Sequence, residues 1–433
     1  MSLTKFHGML NTNVLDSEKA KRQMTMRKTL FIGLLLTASS VAIASGPHPA
    51  MTGFAASADD ASVAGKNPAG MTRFESRVSR GQLLGFFSES TWEGELGNGT
   101  PYELVDDGTT VIPSGNMVMP FGDNYWFGFT MLGGGFSEDY GTDWAGRYFV
   151  QDYDLLFLSA FPSIATKLSD RWSIAGSLAV TYTSYEQNKA VVNLGPGEPD
   201  GSLLIDADGF TVGFGLSTLY EFSEQTRFGI AYRSELDPEL EGDANFSDLN
   251  STTEALFSAA GLLGTDVDVK TRQPQSLLAG LYHEFGDGSN VTFDVMWADF
   301  SEFKLSEIYI DDDQITGSDV DYDDIFAVSV GYNWPISDRT MVGVGYMYID
   351  DMVSDEERTM TMRVDSAWSA GVGVTWEWTD RRVVFATLNY MKAGDAPITS
   401  PPLGPLGSVT GRFVDRDTIW MQIGVNFGTD SSP

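Results

Sequence analysis

The sequence predicts an all-β fold, a fourteen-stranded antiparallel transmembrane barrel with a short N-terminal plug in its lumen. Three observations carry this. Beyond residue 45 no stretch approaches the ~18 consecutive apolar residues that a membrane helix needs, so a membrane span must be built from strands. Long segments alternate with period two, bulky apolar residues on one face and small or polar ones on the other. Short polar turns and long acidic connections alternate strictly, as in outer-membrane barrels, whose periplasmic turns are short and external loops long.

The first 44 residues are processing, not fold. Met24-Thr25-Met26-Arg27-Lys28 leads into the apolar run Leu30 to Leu36 and then small residues ending Ala42-Ile43-Ala44. A basic start, a short apolar stretch and an A-x-A ending describe a secretory signal peptide, with cleavage expected after Ala44. An uncleaved anchor is the competing reading, and translation starting at Met24 or Met26 is the alternative to the longer extension. Residues 45–76 are rich in Gly, Ala and Ser. Such a segment cannot span lipid, and irregular backbone is tolerated at membrane depth only where protein surrounds it. It is expected to fold into the lumen as a plug, followed by the barrel at 77–427 and a periplasmic tail at 428–433.

In Phe210 to Phe222, Phe210, Val212, Phe214, Leu216, Tyr220 and Phe222 point one way, and Thr211, Gly213, Gly215, Ser217 and Glu221 the other. Ile325 to Trp334 and Val364 to Trp378 repeat the pattern. A soluble sandwich would fill its inward face with large apolar groups. Here the small face is inward, and aromatics gather near strand ends, as membrane barrels arrange them. Short turns fall at 121–124, 169–170, 223–225, 286–289, 335–338 and 379–380. Long connections are expected at 91–108, 136–152, 188–205, 235–269, 305–320, 351–362 and 394–412. Six turns plus a strand at each end give the fourteen.

The chain has 27 basic and 60 acidic residues, which argues against a nucleic-acid partner. Solvated loops account for the acidity; cation binding is the sharper alternative, which no ligand spacing supports. Without cysteine there is neither a disulfide framework nor a thiolate metal site, and no cofactor is expected. Catalysis is also unexpected. Of His7, His48 and His283, the last alternates with Leu281 and Phe285 on the lipid side, whereas a barrel hydrolase needs an inward His beside a Ser. A general diffusion porin remains as the alternative transport reading, and a barrel adhesin or hydrolase is a third.

The stretch Ala58-Asp59-Asp60-Ala61, followed by Asn67-Pro68-Ala69-Gly70-Met71, resembles the N-terminal hatch of the FadL family of long-chain fatty acid and hydrocarbon transporters. The turn Pro120-Phe121-Gly122 adds to the resemblance. The final strand closes on Phe427, similar to the signal read by the outer-membrane assembly machinery. The resemblance implies a monomer embedded in outer-membrane lipid and lipopolysaccharide. A long-chain fatty acid or other hydrophobic small molecule would be captured among external loops, bound in the lumen, and released sideways when the hatch shifts.

Candidate residues follow from parity and position. The resemblance implies a sideways exit at a kinked third strand; here that strand ends in Gly133, Gly134 and Gly135, where glycines weaken pairing, which makes them candidates for the lateral gate, against simple fraying into a loop. Leu256 and Phe257, with Leu262 and Leu263, form an apolar patch in the 235–269 connection, suited to ligand capture or to loop packing. A fatty acid carboxylate needs a partner. Arg233, Arg272 and Arg363 are placed on inward faces near external strand ends as candidates for it.

Overall fold

The computed structural model describes residues 47–95, 99, 101–263, 266–301, 304–310, 313–316, 320, 322–360, 363–379, 381–400 and 408–428. The expected signal peptide and most of the expected tail lie outside them. The described strands are β1 (Val78–Glu95), β2 (Pro101–Phe121), β3 (Tyr125–Asp139), β4 (Asp152–Ser169), β5 (Trp172–Val191), β6 (Gly201–Glu221), β7 (Thr226–Arg233), β8 (Glu239–Ser247), β9 (Asp266–Arg272) and β10 (Ser276–Glu284). They continue as β11 (Asn290–Ala298), β12 (Lys304–Ile310), β13 (Asp313–Thr316), β14 (Ile325–Ser337), β15 (Thr340–Ile349), β16 (Ala367–Thr379), β17 (Arg382–Ala393), β18 (Ala396–Thr399) and β19 (Thr410–Phe427).

All pair antiparallel in one sheet, and β1 pairs with β19, so the sheet closes. Five consecutive pairs run on as single staves: β7 with β8, β9 with β10, β11 with β12, β13 with β14, and β17 with β18. The nineteen segments therefore make a fourteen-stave barrel. Pro238 and Pro274 lie at the β7–β8 and β9–β10 breaks. Proline has no N–H for the ladder, and only the isolated bridge Leu236↔Gln273 crosses there.

The apolar face inverts along β6. On β6 the outward positions Phe210, Val212, Phe214 and Leu216 are all half to three-quarters exposed, as a lipid-facing band requires. The same face then turns acidic at Asp208 and Asp206, while Leu203, Ile205 and Ala207 become buried inside. Above the lipid, β4, β5, β6, β8, β9 and β12 thus enclose an ordinary apolar core that includes Leu155, Phe157, Ile205, Leu240, Val267 and Val269. This corrects the expected loops. Much of 91–108, 188–205 and 235–269 is strand, because outside the membrane the medium is water and the polar face must point out.

Two strand bounds also differ from expectation. β3 continues past Gly135 to Asp139, and β16 starts at Ala367, not near residue 363. Val364, within the β15–β16 connection, is buried in an apolar core. Among the described residues no helix is long and apolar enough to cross a membrane.

Candidate functional site

Residues from Pro47 onward fill the lumen. The 3-10 turn Pro49–Met51, the helical turn Val63–Lys66 and the 3-10 helix Pro68–Arg73 are nearly all buried. The inward glycines of the wall are the footprint of this plug. A Cβ on Gly229 would stand 2.0 Å from the carbonyl oxygen of Ala55, and one on Gly345 2.2 Å from that of Pro49. No side chain fits between wall and plug backbone at these two places.

Polar groups of the wall hold the plug. The Asp294 carboxylate on β11 accepts from the backbone N–H groups of Gly53, Phe54 and Ala55 at 2.6, 3.3 and 2.9 Å. Arg227 on β7 donates to the carbonyls of Ala56, at 3.0 Å, and Ser57. Arg80 on β1 forms a fully buried ion pair with Asp60, and Asn389 on β17 accepts from the Ala50 N–H at 2.7 Å. His48 bonds Asp59 within the plug at 2.7 Å. Lys66 is 3% exposed, with its ammonium 4.3 Å from the Phe54 ring centre. Burial pushes it down to about 7, against the pull of Asp60 and Asp59.

Asn67-Pro68-Ala69 sits where plug meets wall. The Asn67 side chain accepts from Ala69 N–H at 3.2 Å, capping the 3-10 helix. Its amide also donates to the carbonyls of Ala55 at 2.7 Å and Thr218 of β6 at 3.1 Å. Pro68, at the first helical position, needs no N–H there. The Ala69 N–H is shared with Ser217 Oγ at 3.1 Å. The triplet thus closes the plug on itself and fastens it to β6.

The three arginines have different fates. Arg233 is inward, but it donates to the Gly65 carbonyl and lies 5.3 Å from the Phe161 ring centre, so it holds the plug. Arg272 does not share the parity of Ser276. Val267, Val269 and Thr271 are the buried positions of β9, and the break at Gln273–Gln275 shifts the alternation before β10. Arg272 instead pairs with the exposed Asp237 at 2.9 Å. Arg363 precedes β16. It donates to Ser90 Oγ at 2.7 Å, to Asp106 at 2.8 Å and to Glu138. Burial works against its charge, but the carboxylates of Glu138 and Asp106 hold it well above the usual arginine range.

Gly133, Gly134 and Gly135 pair with Leu158, Phe157 and Leu156 of β4. On their other side the ladder stops. Pairing of β3 with β2 runs from Phe121↔Tyr125 only to Ser114↔Leu132, although β2 pairs with β1 out to Pro101.

The apolar patch divides. Asn250 caps the helix Ser251–Ala259 by accepting from the Thr252 and Thr253 N–H groups. Leu256 on that helix is 53% exposed. Phe257 packs on Phe246 of β8 with ring centres 5.2 Å apart. Leu262 and Leu263 lie beyond the helix end, so the expected patch is not carried by one element. Phe257 and Leu262, with Phe246, Leu203, Val191, Val192 and Tyr148, line an outer groove of about 290 Å³. Lys189 lines it too, and its ammonium has no ion-pair partner among the described residues.

Sequence reasoning missed Lys189, Arg227 and Asp294. Arg227 shares the inward parity of Gly229 and Ala231, and Asp294 is a charge inside an expected strand. An ionisable group facing a lumen is a functional signal by default. Lys189 fell in an expected loop and gave no signal. His283 lies between the exposed Leu281 and Phe285 and bonds Thr226 Oγ1 at 2.8 Å.

Residues 34–414 match the family described as outer membrane protein transport protein (OMPP1/FadL/TodX). The chain is 20% identical over 416 residues to the long-chain fatty acid transport protein of Escherichia coli O6:H1, covering 88% of this chain and 91% of that one. Among solved structures, a Pseudomonas aeruginosa FadL homologue superposes with a TM-score of 0.80 at 18% identity, covering 88% of this chain and 97% of the other. The Ralstonia pickettii toluene transporter TbuX gives 0.63 at 17% identity, covering 88% and 96%.

Proposed function

The chain belongs to the OMPP1/FadL/TodX family of Gram-negative outer-membrane transport proteins, and from that premise we propose that it takes up long-chain fatty acids, the ligand entering first at the outer groove. That it transports hydrophobic compounds, and is not a general diffusion porin, follows from the family and suits a lumen filled by a plug. We assign it no catalytic step. The fatty acid is the finer reading, and one observation supports it: Lys189 beside an apolar groove of about 290 Å³.

A cation on an apolar wall is costly without an anion. A carboxylate against Lys189 with its tail along Phe246, Phe257 and Leu262 satisfies both surfaces. From there the chain would pass to the plug, whose shift would open a route past the unladdered β2–β3 edge at Gly133 to Gly135. Arg233, Arg272 and Arg363 are not proposed as carboxylate partners, since each is already engaged. The lipid-facing band and the closing Phe427, 43% exposed, suit insertion by the assembly machinery into lipid and lipopolysaccharide.

The test is equilibrium binding of radiolabelled oleate and of hexadecane to the purified barrel and to Lys189→Met. Saturable oleate binding, weakened about tenfold by the substitution, is expected, the factor that ~1.4 kcal/mol gives. Hexadecane binding alone would move the substrate to neutral hydrocarbons. Oleate binding untouched by Lys189→Met would remove Lys189 from the site.

A further inference from the structure

The edge between β2 and β3 is unlike its neighbours. At the level of Ser90 and Asp106, β1 and β2 are still laddered, since these two residues face each other. At the level of Glu138, β3 and β4 are still laddered through Glu138↔Tyr153. Among the described residues no pair joins β2 to β3 above Ser114↔Leu132. The wall is therefore split here into two intact halves over about 20 Å, taking six residues of β3 at roughly 3.3 Å each.

One side chain reaches both halves. Arg363, from the connection before β16, donates to Ser90 and Asp106 on one half and to Glu138 on the other. Its guanidinium carbon lies 4.7 Å from the ring centre of Phe413 and 5.6 Å from that of Tyr140, which fixes it from the lumen side. A planar guanidinium with five donors can serve three acceptors at once in fixed geometry; an ammonium on a flexible stem cannot hold them so rigidly. With Ser90, Asp106 and Glu138 all on its donors, the guanidinium is already engaged and does not offer itself to a substrate carboxylate.

We propose that Arg363 is a positioning residue, the clasp that closes the outer end of the β2–β3 seam and sets the height of the opening below it. The proposal rests on the exit lying at this seam, and its test separates the two. The chain has no cysteine, so spin labels at Val105→Cys on β2 and Asp139→Cys on β3 are unique. The distance between them is read in the otherwise unaltered barrel, in Arg363→Ala, in Arg363→Lys, in Asp106→Ala, and in Arg412→Ala, which breaks exposed rim pairs with Glu93 and Asp395.

The expected result is a longer and broader distance distribution in Arg363→Ala and Asp106→Ala, an intermediate one in Arg363→Lys, and no change in Arg412→Ala. An unchanged distribution in assembled Arg363→Ala overturns the clasp. If that variant does not assemble, an unchanged Asp106→Ala overturns it equally. Oleate uptake is measured on the same variants. A changed distance with changed uptake supports clasp and exit together, and a changed distance with unaltered uptake keeps the clasp but moves the exit elsewhere.

Discussion

Asp294 on the barrel wall holds Gly53 of the plug through a 2.6 Å bond from the Gly53 N–H to its carboxylate, which Phe54 and Ala55 share. Three backbone donors converge on one buried anion, so the wall supplies the acceptor that this turn of the plug lacks. Charge-assisted bonds of this kind are the strong ones.

Asp294→Ala leaves those three donors buried without an acceptor. The plug should lose on the order of 3 kcal/mol of docking stability, the scale of hydrogen bonds to a charged group, while the barrel ladder is untouched. Planar-bilayer recordings check this: conductance through Asp294→Ala should be larger and noisier than through the parent.

Gly229→Ala tests the footprint. Its Cβ would stand 2.0 Å from the Ala55 carbonyl oxygen, whereas a Cβ on Gly81 meets nothing within 4 Å. Gly229→Ala should raise conductance and expose the plug to protease; Gly81→Ala should do neither. Equal behaviour of the two would show that the plug does not press on the wall here.

Lys66 makes the docking of the plug depend on pH. Its folded value is about 7, against 10.5 unperturbed, so between these the undocked plug binds the extra proton and docking strengthens as pH rises. Below 7 both states are protonated and the penalty is complete. Plug protection, followed by hydrogen exchange at Gly65 and Asn67, should therefore increase from pH 7 towards 10, and Lys66→Met should flatten the profile.

The acidity of the chain has a structural address. Asp206 faces Asp243, which faces Asp266; Asp208 faces Glu241, which faces Asp268. All six are exposed on the outer face of the wall above the lipid. Like charges directly opposite each other destabilise a sheet by up to about 1 kcal/mol. Asp243→Asn should stabilise β8 by roughly 0.5 kcal/mol, and added salt should narrow the difference as the Debye length falls to ~8 Å at 0.15 M. Amide exchange at Leu240 and Ala244 reads it.

These cases show what a sequence displays and what it hides. The lipid band of β6 was legible because Phe210 to Leu216 alternate against glycines. Residues 201–205 extend the same strand beyond Asp206 and Asp208, yet they resemble a loop, since the medium changes from lipid to water at that point and reverses which side is apolar. Asn67-Pro68-Ala69 was legible as a motif; its hold on Thr218 depends on strands far away in sequence. Arg272 was misplaced because parity was carried across Pro274, where the ladder breaks. Lys189 was invisible, since a lone lysine acquires meaning only once Phe246 and Phe257 fold beside it.

The central claim is uptake of a fatty acid through a plugged barrel, and it is tested most directly in Gram-negative cells lacking their own fatty acid transporter. Uptake of radiolabelled oleate is measured with this chain expressed, and again with the plug locked to the wall by a disulfide between Thr72→Cys of the plug and Ser173→Cys of β5, whose hydroxyl oxygens lie 2.7 Å apart. The account predicts saturable uptake with the parent chain, lost on oxidation and restored by reduction. No oleate uptake by an assembled barrel, or uptake indifferent to the lock, would contradict it.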